Sequence, residues 1–258
     1  MTAHTLHDLP PQLAANRYYW CGWSGDQPDT DLPIYRSDVR HGLLNGVLRV
    51  RNRPLDEAVE EARRVLAGSR WLWWVGDDSD PGTAEGLLAR GAEPAGGMPI
   101  MAIDVTAVAP ADPPADLKIA PVSGPDETAE YVRAYAGPLG FEADAVGTAI
   151  DRELNFAYPQ VVRLAGWVDG RIAGTCTLSL GTEVGALYCI ATDPDLRRRG
   201  IGTALTREAL RLTRESGRRI ATLQASSDGE PIYRAIGFAT VSRYQMFKLP
   251  AQPEGTDA

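Results

Sequence analysis

Three consecutive arginines, Arg197, Arg198 and Arg199, run directly into Gly200-Ile201-Gly202-Thr203. Glycines let a backbone approach an anion closely, and a helix start offers unpaired N–H groups at the positive end of its dipole. The arginines add forked donors. Together these residues are equipped to bind a diphosphate. Two familiar phosphate loops do not fit. A dinucleotide fingerprint needs Gly or Ala three residues after Gly202, where Leu205 stands, and a P-loop needs a Gly-Lys-Ser/Thr ending that is absent. The alternative reading of the same residues is a solvated arginine cluster beside a capped helix.

The flanking elements can position such a loop. Ala186 to Ala191 is an uninterrupted, mostly apolar run, the pattern of a strand covered on both faces, and Asp193-Pro194 stops it. From Ile201 the apolar positions 201, 204, 205, 209 and 212 fall on one helical face, and Gly217 ends the helix. A strand over Ile220 to Gln224, a short helix around Pro231 to Gly237 and a strand over Tyr244 to Leu249 follow. Ser226 is no esterase nucleophile, because Gln224 breaks Gly-x-Ser-x-Gly.

The run Arg197-Arg198-Arg199-Gly200-Ile201-Gly202 resembles the Gln/Arg-x-x-Gly-x-Gly/Ala loop of the GCN5-related N-acetyltransferases. Pro231-Ile232-Tyr233-Arg234-Ala235-Ile236-Gly237-Phe238 is similar to the helix and turn that follow the fifth strand in that family. The resemblance covers roughly 117–249. It implies an α/β fold with a mixed sheet, acetyl-CoA as acyl donor, and transfer of the acetyl group to an amine of a small molecule by direct attack in a ternary complex. It further implies that the loop Arg197 to Thr203 holds the diphosphate, with the backbone of Ile190, Ala191 and Thr192 holding the pantetheine and the thioester carbonyl. Ser226 is expected to touch the pantetheine or the acceptor. Tyr233 stands where many relatives carry the tyrosine that protonates the departing thiolate. A phenol suits that step, since its reference pKa of about 10 keeps it protonated at neutrality. Glu183, at the start of the fourth strand, is the expected general base, acting directly or through water. Two alternatives stay open: a module that binds coenzyme A without turnover, and a transferase using another acyl-CoA.

Composition narrows the classes. The chain has 258 residues, 44% hydrophobic and 23% charged, the profile of a globular protein with room for two domains. A net charge of −8 argues against nucleic acid as a partner, because phosphate neutralisation needs a broad basic face. No apolar run reaches the ~18 residues that span a bilayer, and the opening MTAHTLHDLPPQ lacks a secretory pattern, so no membrane partner and a cytoplasmic location are expected. Cys21, Cys176 and Cys189 form no CxxC pair and read as free thiols, two of them in strands. His4, His7 and His41 all lie far from the loop in sequence, so no metal is expected there.

The first half repeats the second in outline. A strand over Leu44 to Arg51, a helix over Leu55 to Leu66, a strand over Arg70 to Gly76, a short helix over Thr83 to Arg90 and a strand over Met98 to Val105 follow the same order as residues 184–249. Here Arg51-Asn52-Arg53-Pro54 joins strand to helix, with no glycine loop and no counterpart of Tyr233. Residues 1–108 therefore resemble a degenerate acetyltransferase domain, 109–116 (within TAVAPADPPAD) a proline-stiffened linker, and 117–250 the acetyl-CoA-binding domain, a tandem arrangement. Residues 1–16, with Pro10-Pro11, read as a loosely held arm, and RYYWCGW (17–23) as half-buried packing or an exposed platform. Asp169-Gly170 marks a hairpin between Val161–Val168 and Ile172–Leu180. Residues beyond Pro250 are expected to be disordered.

Overall fold

The computed structural model describes residues 5–250; the tail expected to be disordered lies outside that range. In chain order the elements are α1 (Leu9–Gly22), β1 (Ile34–Arg36), β2 (Asn45–Val47), α2 (Leu55–Val65), β3 (Leu72–Val75), α3 (Thr83–Ala89) and β4 (Glu93–Asp104). They continue with β5 (Lys118–Pro121), α4 (Gly124–Ala136), α5 (Val146–Leu154), β6 (Val161–Val168), β7 (Arg171–Ser179), β8 (Gly185–Thr192), α6 (Ile201–Glu215), β9 (Ile220–Gln224), α7 (Glu230–Ile236) and β10 (Ala239–Lys248). No helix among the described residues is long and apolar enough to cross a membrane.

All ten strands join one mixed sheet in the order β1-β2-β3-β10-β4-β9-β8-β7-β6-β5. The last strand of each half lies beside the other half's strands. β4 runs antiparallel to β9, with Ile100 opposite Gln224 and Asp104 opposite Ile220, while β10 runs antiparallel to both β3 and β4. Each crossing strand fills both ladder edges, so separating the halves would strip backbone hydrogen bonds from two neighbours at once.

Side-chain alternation on β4 and β10 separates the two faces. Met101 and Ile103 pack under α6, whose Ile201, Ala204, Leu205 and Ala209 are buried. Trp73 and Phe247 pack under α2. On the opposite face Trp74, Ile100, Tyr244 and Met246 meet Leu13 and Cys21 of α1, while Tyr131 and Tyr135 of α4 pack with Tyr19.

The expectation of a loose N-terminal arm is corrected by α1. Pro10 and Pro11 occupy its first turn, where a missing N–H costs nothing and the fixed φ suits a helix. Leu13 is then buried on one side and Ala15 and Tyr19 on another, and Arg17 bonds Asp78. The aromatic run 17–23 spans the last turns of the same helix and its C-cap, with Tyr19, Cys21 and Trp23 buried and Tyr18 and Trp20 half-buried. At the hairpin, Asp169 and Gly170 both have positive φ, 51° and 78°, the two-residue turn that matches strand twist. The strand expected over Leu44 to Arg51 shortens to Asn45–Val47, and β1 had no periodic signal over its three residues.

Candidate functional site

Two features of β8 open the sheet. β7 pairs with β8 through Thr175 opposite Ala191 and Thr177 opposite Tyr188, so β8 carries one extra residue between those pairs. That residue set includes Cys189, whose φ of 48° turns the strand. Thr175 Oγ1 donates to the Cys189 carbonyl at 2.8 Å, and Tyr19 lies flat on Tyr188, with ring centroids 3.6 Å apart, while its hydroxyl reaches Cys189 Sγ at 3.4 Å. On the other side, β8 and β9 pair in parallel only from Gly185/Ala221 to Leu187/Leu223. Beyond Leu187 the two strands diverge, leaving the edge of Ile190 to Thr192 without a strand partner on that side. Backbone donors and acceptors there are available to a ligand.

The loop after β8 faces this gap. Asp193 accepts from the Asp195 N–H at 3.0 Å and shapes the turn. Arg198 and Gly200 both adopt positive φ, 62° and 80°, and Gly200 is the N-cap of α6. Alternation of this kind aims successive N–H groups into one concavity. Beneath the loop, Gly174 of β7 lets Ile201 and Leu205 lie against the sheet, since a Cβ there would sit 2.7 Å from Ile201 and 3.0 Å from the Ala191 carbonyl. A Cβ on Gly202 would meet only the Thr192 hydroxyl, at 3.3 Å. The space before the first turn of α6 is therefore open to an anion.

One cavity of about 770 Å³ brings most of the expected residues together. Ile190, Ala191 and Thr192 form one wall, Arg197, Arg198, Gly200, Ile201, Gly202 and Thr203 another, and Ser226 and Tyr233 the third, with Pro138 and Leu139 at its edge. Arg197 and Arg198 make no ion pair with another described residue. Arg199 turns away to pair with Asp116 and does not line the cavity. Ser226 Oγ accepts from the Gly229 N–H at 3.1 Å, which starts α7. Tyr233 is 9% exposed and packs edge-on to Phe238, with ring centroids 5.8 Å apart. Burial raises its pKa far above the ordinary phenol, which keeps the proton on Tyr233 across the physiological range. Glu183 is exposed, precedes the first residue of β8 and sits at the opposite end of that strand from the cavity.

Sequence reasoning missed the other side of the gap. A second, smaller cavity there is lined by residues of both halves, including Trp20, His41, Trp74 and Tyr188, and shares Leu139, Ile190, Ser226 and Tyr233 with the first. The aromatic run around Trp20 was the one local signal. That β3 and the segment before β2 would come beside β8 depends on the strand exchange, which no local pattern reveals.

Residues 129–238 match the acetyltransferase (GNAT) family. The whole architecture agrees: a GCN5-related N-acetyltransferase from Kribbella flavida superposes with a TM-score of 0.68 over 93% of this chain and 94% of that one, at 17% identity. A tandem GNAT protein from the clavulanic acid biosynthesis pathway superposes with a TM-score of 0.58, covering 81% of this chain and 76% of its own, at 20% identity. The chain thus has the GNAT fold in tandem form. In sequence, 64 residues are 39% identical to a mycothiol acetyltransferase of Saccharomonospora viridis; the match takes in 24% of this chain and 21% of that protein. The loop, the opened β8 and Tyr233 all lie inside the GNAT domain, whereas Trp20, His41 and Trp74 lie outside it.

Proposed function

We propose that the chain is an acyl-CoA-dependent N-acyltransferase that transfers an acetyl group from acetyl-CoA to an amine of a small molecule by direct attack, with donor and acceptor held together. The observation that carries this reading is the continuity of one cavity from the glycine loop at the start of α6 to the gap between β8 and β9. A diphosphate suits the first end, where backbone N–H groups, a helix dipole and Arg197 and Arg198, which pair with no described residue, converge. A thioester suits the second, where the backbone of Ile190 to Thr192 can supply the hydrogen bonds of a missing strand and a donor for the developing oxyanion. The GNAT match over residues 129–238 and the short likeness to a mycothiol acetyltransferase support the same chemistry.

The amine nitrogen bonds to the thioester carbonyl carbon, the carbonyl oxygen gains negative charge, and the C–S bond then breaks. Arg197, Arg198 and Gly200 to Thr203 hold the diphosphate, and Ile190, Ala191 and Thr192 the pantetheine arm and carbonyl. Tyr233 donates to the departing sulfur, and its raised pKa keeps the proton available at any physiological pH. Ser226 lies between the two cavities, in reach of either substrate. The degenerate first half, 1–108, contributes a wall and no second donor site, because α2 starts at Pro54, which has no N–H to offer.

A second reading, coenzyme A binding without turnover, is favoured by the position of Glu183 outside the cavity. Incubation with acetyl-CoA and an amine panel, with the free thiol quantified, tests the first against the second. Amine-dependent thiol release is the expected result; binding of acetyl-CoA with no amine-dependent release would replace transfer by binding alone.

A further inference from the structure

The cavity on the far side of the β8–β9 gap has a volume of about 160 Å³. An engineered protein cavity of roughly 150 Å³ holds a benzene ring. Trp20 and Trp23 come from α1, His41 from the segment before β2, Trp74 from β3, and they face Tyr188 and Gln224. Among the described residues no Asp, Glu, Lys or Arg lines it. Five of its lining residues carry buried polar atoms with no partner: Nε1 of Trp20, Trp23 and Trp74, Nε2 of Gln224, and Nδ1 of His41. Trp23 is 2% exposed and Trp74 fully buried. Unpaired buried polar atoms are costly, so such a set marks this region as more than ordinary apolar packing.

His41 differs from the other four because its orphaned atom can take a proton. Its ring lies against Phe141 with centroids 4.7 Å apart, and its carbonyl accepts from the Leu44 N–H and Asn45 Nδ2, which anchors the residue. Burial lowers its pKa, against the opposing influence of the Leu139 backbone and the Glu142 charge, so the imidazole is neutral at pH 7.

We propose that this cavity is the acceptor site, that its occupant is a small primary amine carried on a single aromatic ring and lacking a carboxylate, and that His41 Nδ1 accepts the proton the amine loses. The proposal rests on the acetyl-transfer reading. The ring fits the volume and the indole walls. A carboxylate would enter a space with no cation to receive it. The aromatic walls tolerate an ammonium on entry, while their low polarity favours its neutral form. As the nitrogen bonds to the carbonyl carbon, its proton passes to His41; the C–S electron pair leaves with sulfur, which takes the Tyr233 proton. Solvent returns the imidazolium proton to the Tyr233 phenolate on product release, leaving amide and free thiol with the enzyme unchanged.

The surrounding charges leave His41 as the group to watch in a pH profile. Glu142 is paired with Arg70, Arg40 with Asp144, and Asp38 with Arg152. The Cys189 thiol is pushed up to about 12, and the phenols of Tyr188 and Tyr233 are raised, so none of these titrates between pH 5 and 8.

The test uses the full chain, acetyl-CoA, and four amines: 2-phenylethylamine, tyramine, glycine and spermidine. Either ring amine should exceed glycine and spermidine in kcat/KM by about 100-fold, the discrimination expected of an apolar pocket. The pH profile of wild-type kcat should carry an acid limb below about 6.5, the reference value for imidazole. His41→Gln should lose that limb and about 100-fold in kcat, within the usual range for a general base, and keep its calorimetric affinity for acetyl-CoA. Should His41→Gln fail to fold, His41→Ala with added imidazole decides: recovery of kcat with imidazole supports the assignment, and a His41→Ala that is as active as wild type without it, or that imidazole does not rescue, overturns it. Intact acetyl-CoA binding with glycine or spermidine preferred, or with His41→Gln as active as wild type, overturns this inference alone. Absence of acetyl-CoA binding overturns it together with the transfer reading on which it rests.

Discussion

Replacing Gly202 by Asp should separate donor binding from folding, because the same substitution has opposite signs in the two. Gly202 is the second residue of α6 and is not among the positive-φ glycines, so a side chain is compatible with its backbone. A Cβ there meets only the Thr192 hydroxyl at 3.3 Å, the end of a side chain that can rotate away. An acidic residue in the first turn gains about 0.3–1 kcal/mol from the helix dipole, and removing a helical glycine adds a few tenths more. Stability should therefore stay within about 1 kcal/mol of wild type or rise slightly. Binding moves the other way. A carboxylate about 5 Å from a bound diphosphate costs roughly 3 kcal/mol per unit of phosphate charge at an effective dielectric of 20, before screening by salt. A net loss of about 3–4 kcal/mol, or 100- to 1000-fold in Kd, is the expected outcome. Isothermal calorimetry with acetyl-CoA, beside a thermal melt of both proteins and of Gly202→Ala, reads both halves. Binding by Gly202→Asp within tenfold of wild type would remove the glycine loop as the diphosphate site, and a melting temperature far below wild type would show the local reading of α6 to be mistaken.

Tyr233→Phe removes a hydroxyl and keeps the ring against Phe238; kcat should fall by about 100-fold with the acetyl-CoA Kd unchanged, as measured by steady-state kinetics and calorimetry. Arg199→Ala should change the acetyl-CoA Kd by less than about threefold, because Arg199 is engaged by Asp116, whereas Arg198→Ala should weaken it about tenfold, one charge-assisted contact in the cavity. Asp78→Ala should lower stability by about 3 kcal/mol in urea unfolding, since it leaves the buried guanidinium groups of Arg17 and Arg49 without their shared carboxylate.

The sequence was readable where chemistry and local pattern coincide. Arg197 to Thr203 declared a helix start, and the strand before it, the helix after it and the Asp169-Gly170 turn follow from periodicity and turn chemistry alone. Tyr233 came from the resemblance of Pro231 to Phe238 to the family's helix and turn. Other features depend on partners distant in sequence. α1 looked like a loose arm because Pro10-Pro11 breaks a helical interior, and only their place in the first turn makes them harmless. Arg199 looked equivalent to Arg197 and Arg198; Asp116, 83 residues earlier, separates it from them. His41 carried no local signal at all. It reaches the β8 gap because β4 and β10 cross between the halves, and strand order is a property of the whole sheet rather than of any segment.

The strand exchange also decides how the central claim must be tested, since removing 1–108 would take β4 from between β9 and β10. The measurement is therefore a calorimetric titration of acetyl-CoA into the intact chain. The account predicts one site per chain, weakened about 100- to 1000-fold by Gly202→Asp, because Gly200 and Gly202 open the start of α6 while Pro54 closes the start of α2. Two sites per chain, or one site indifferent to Gly202→Asp, would contradict it.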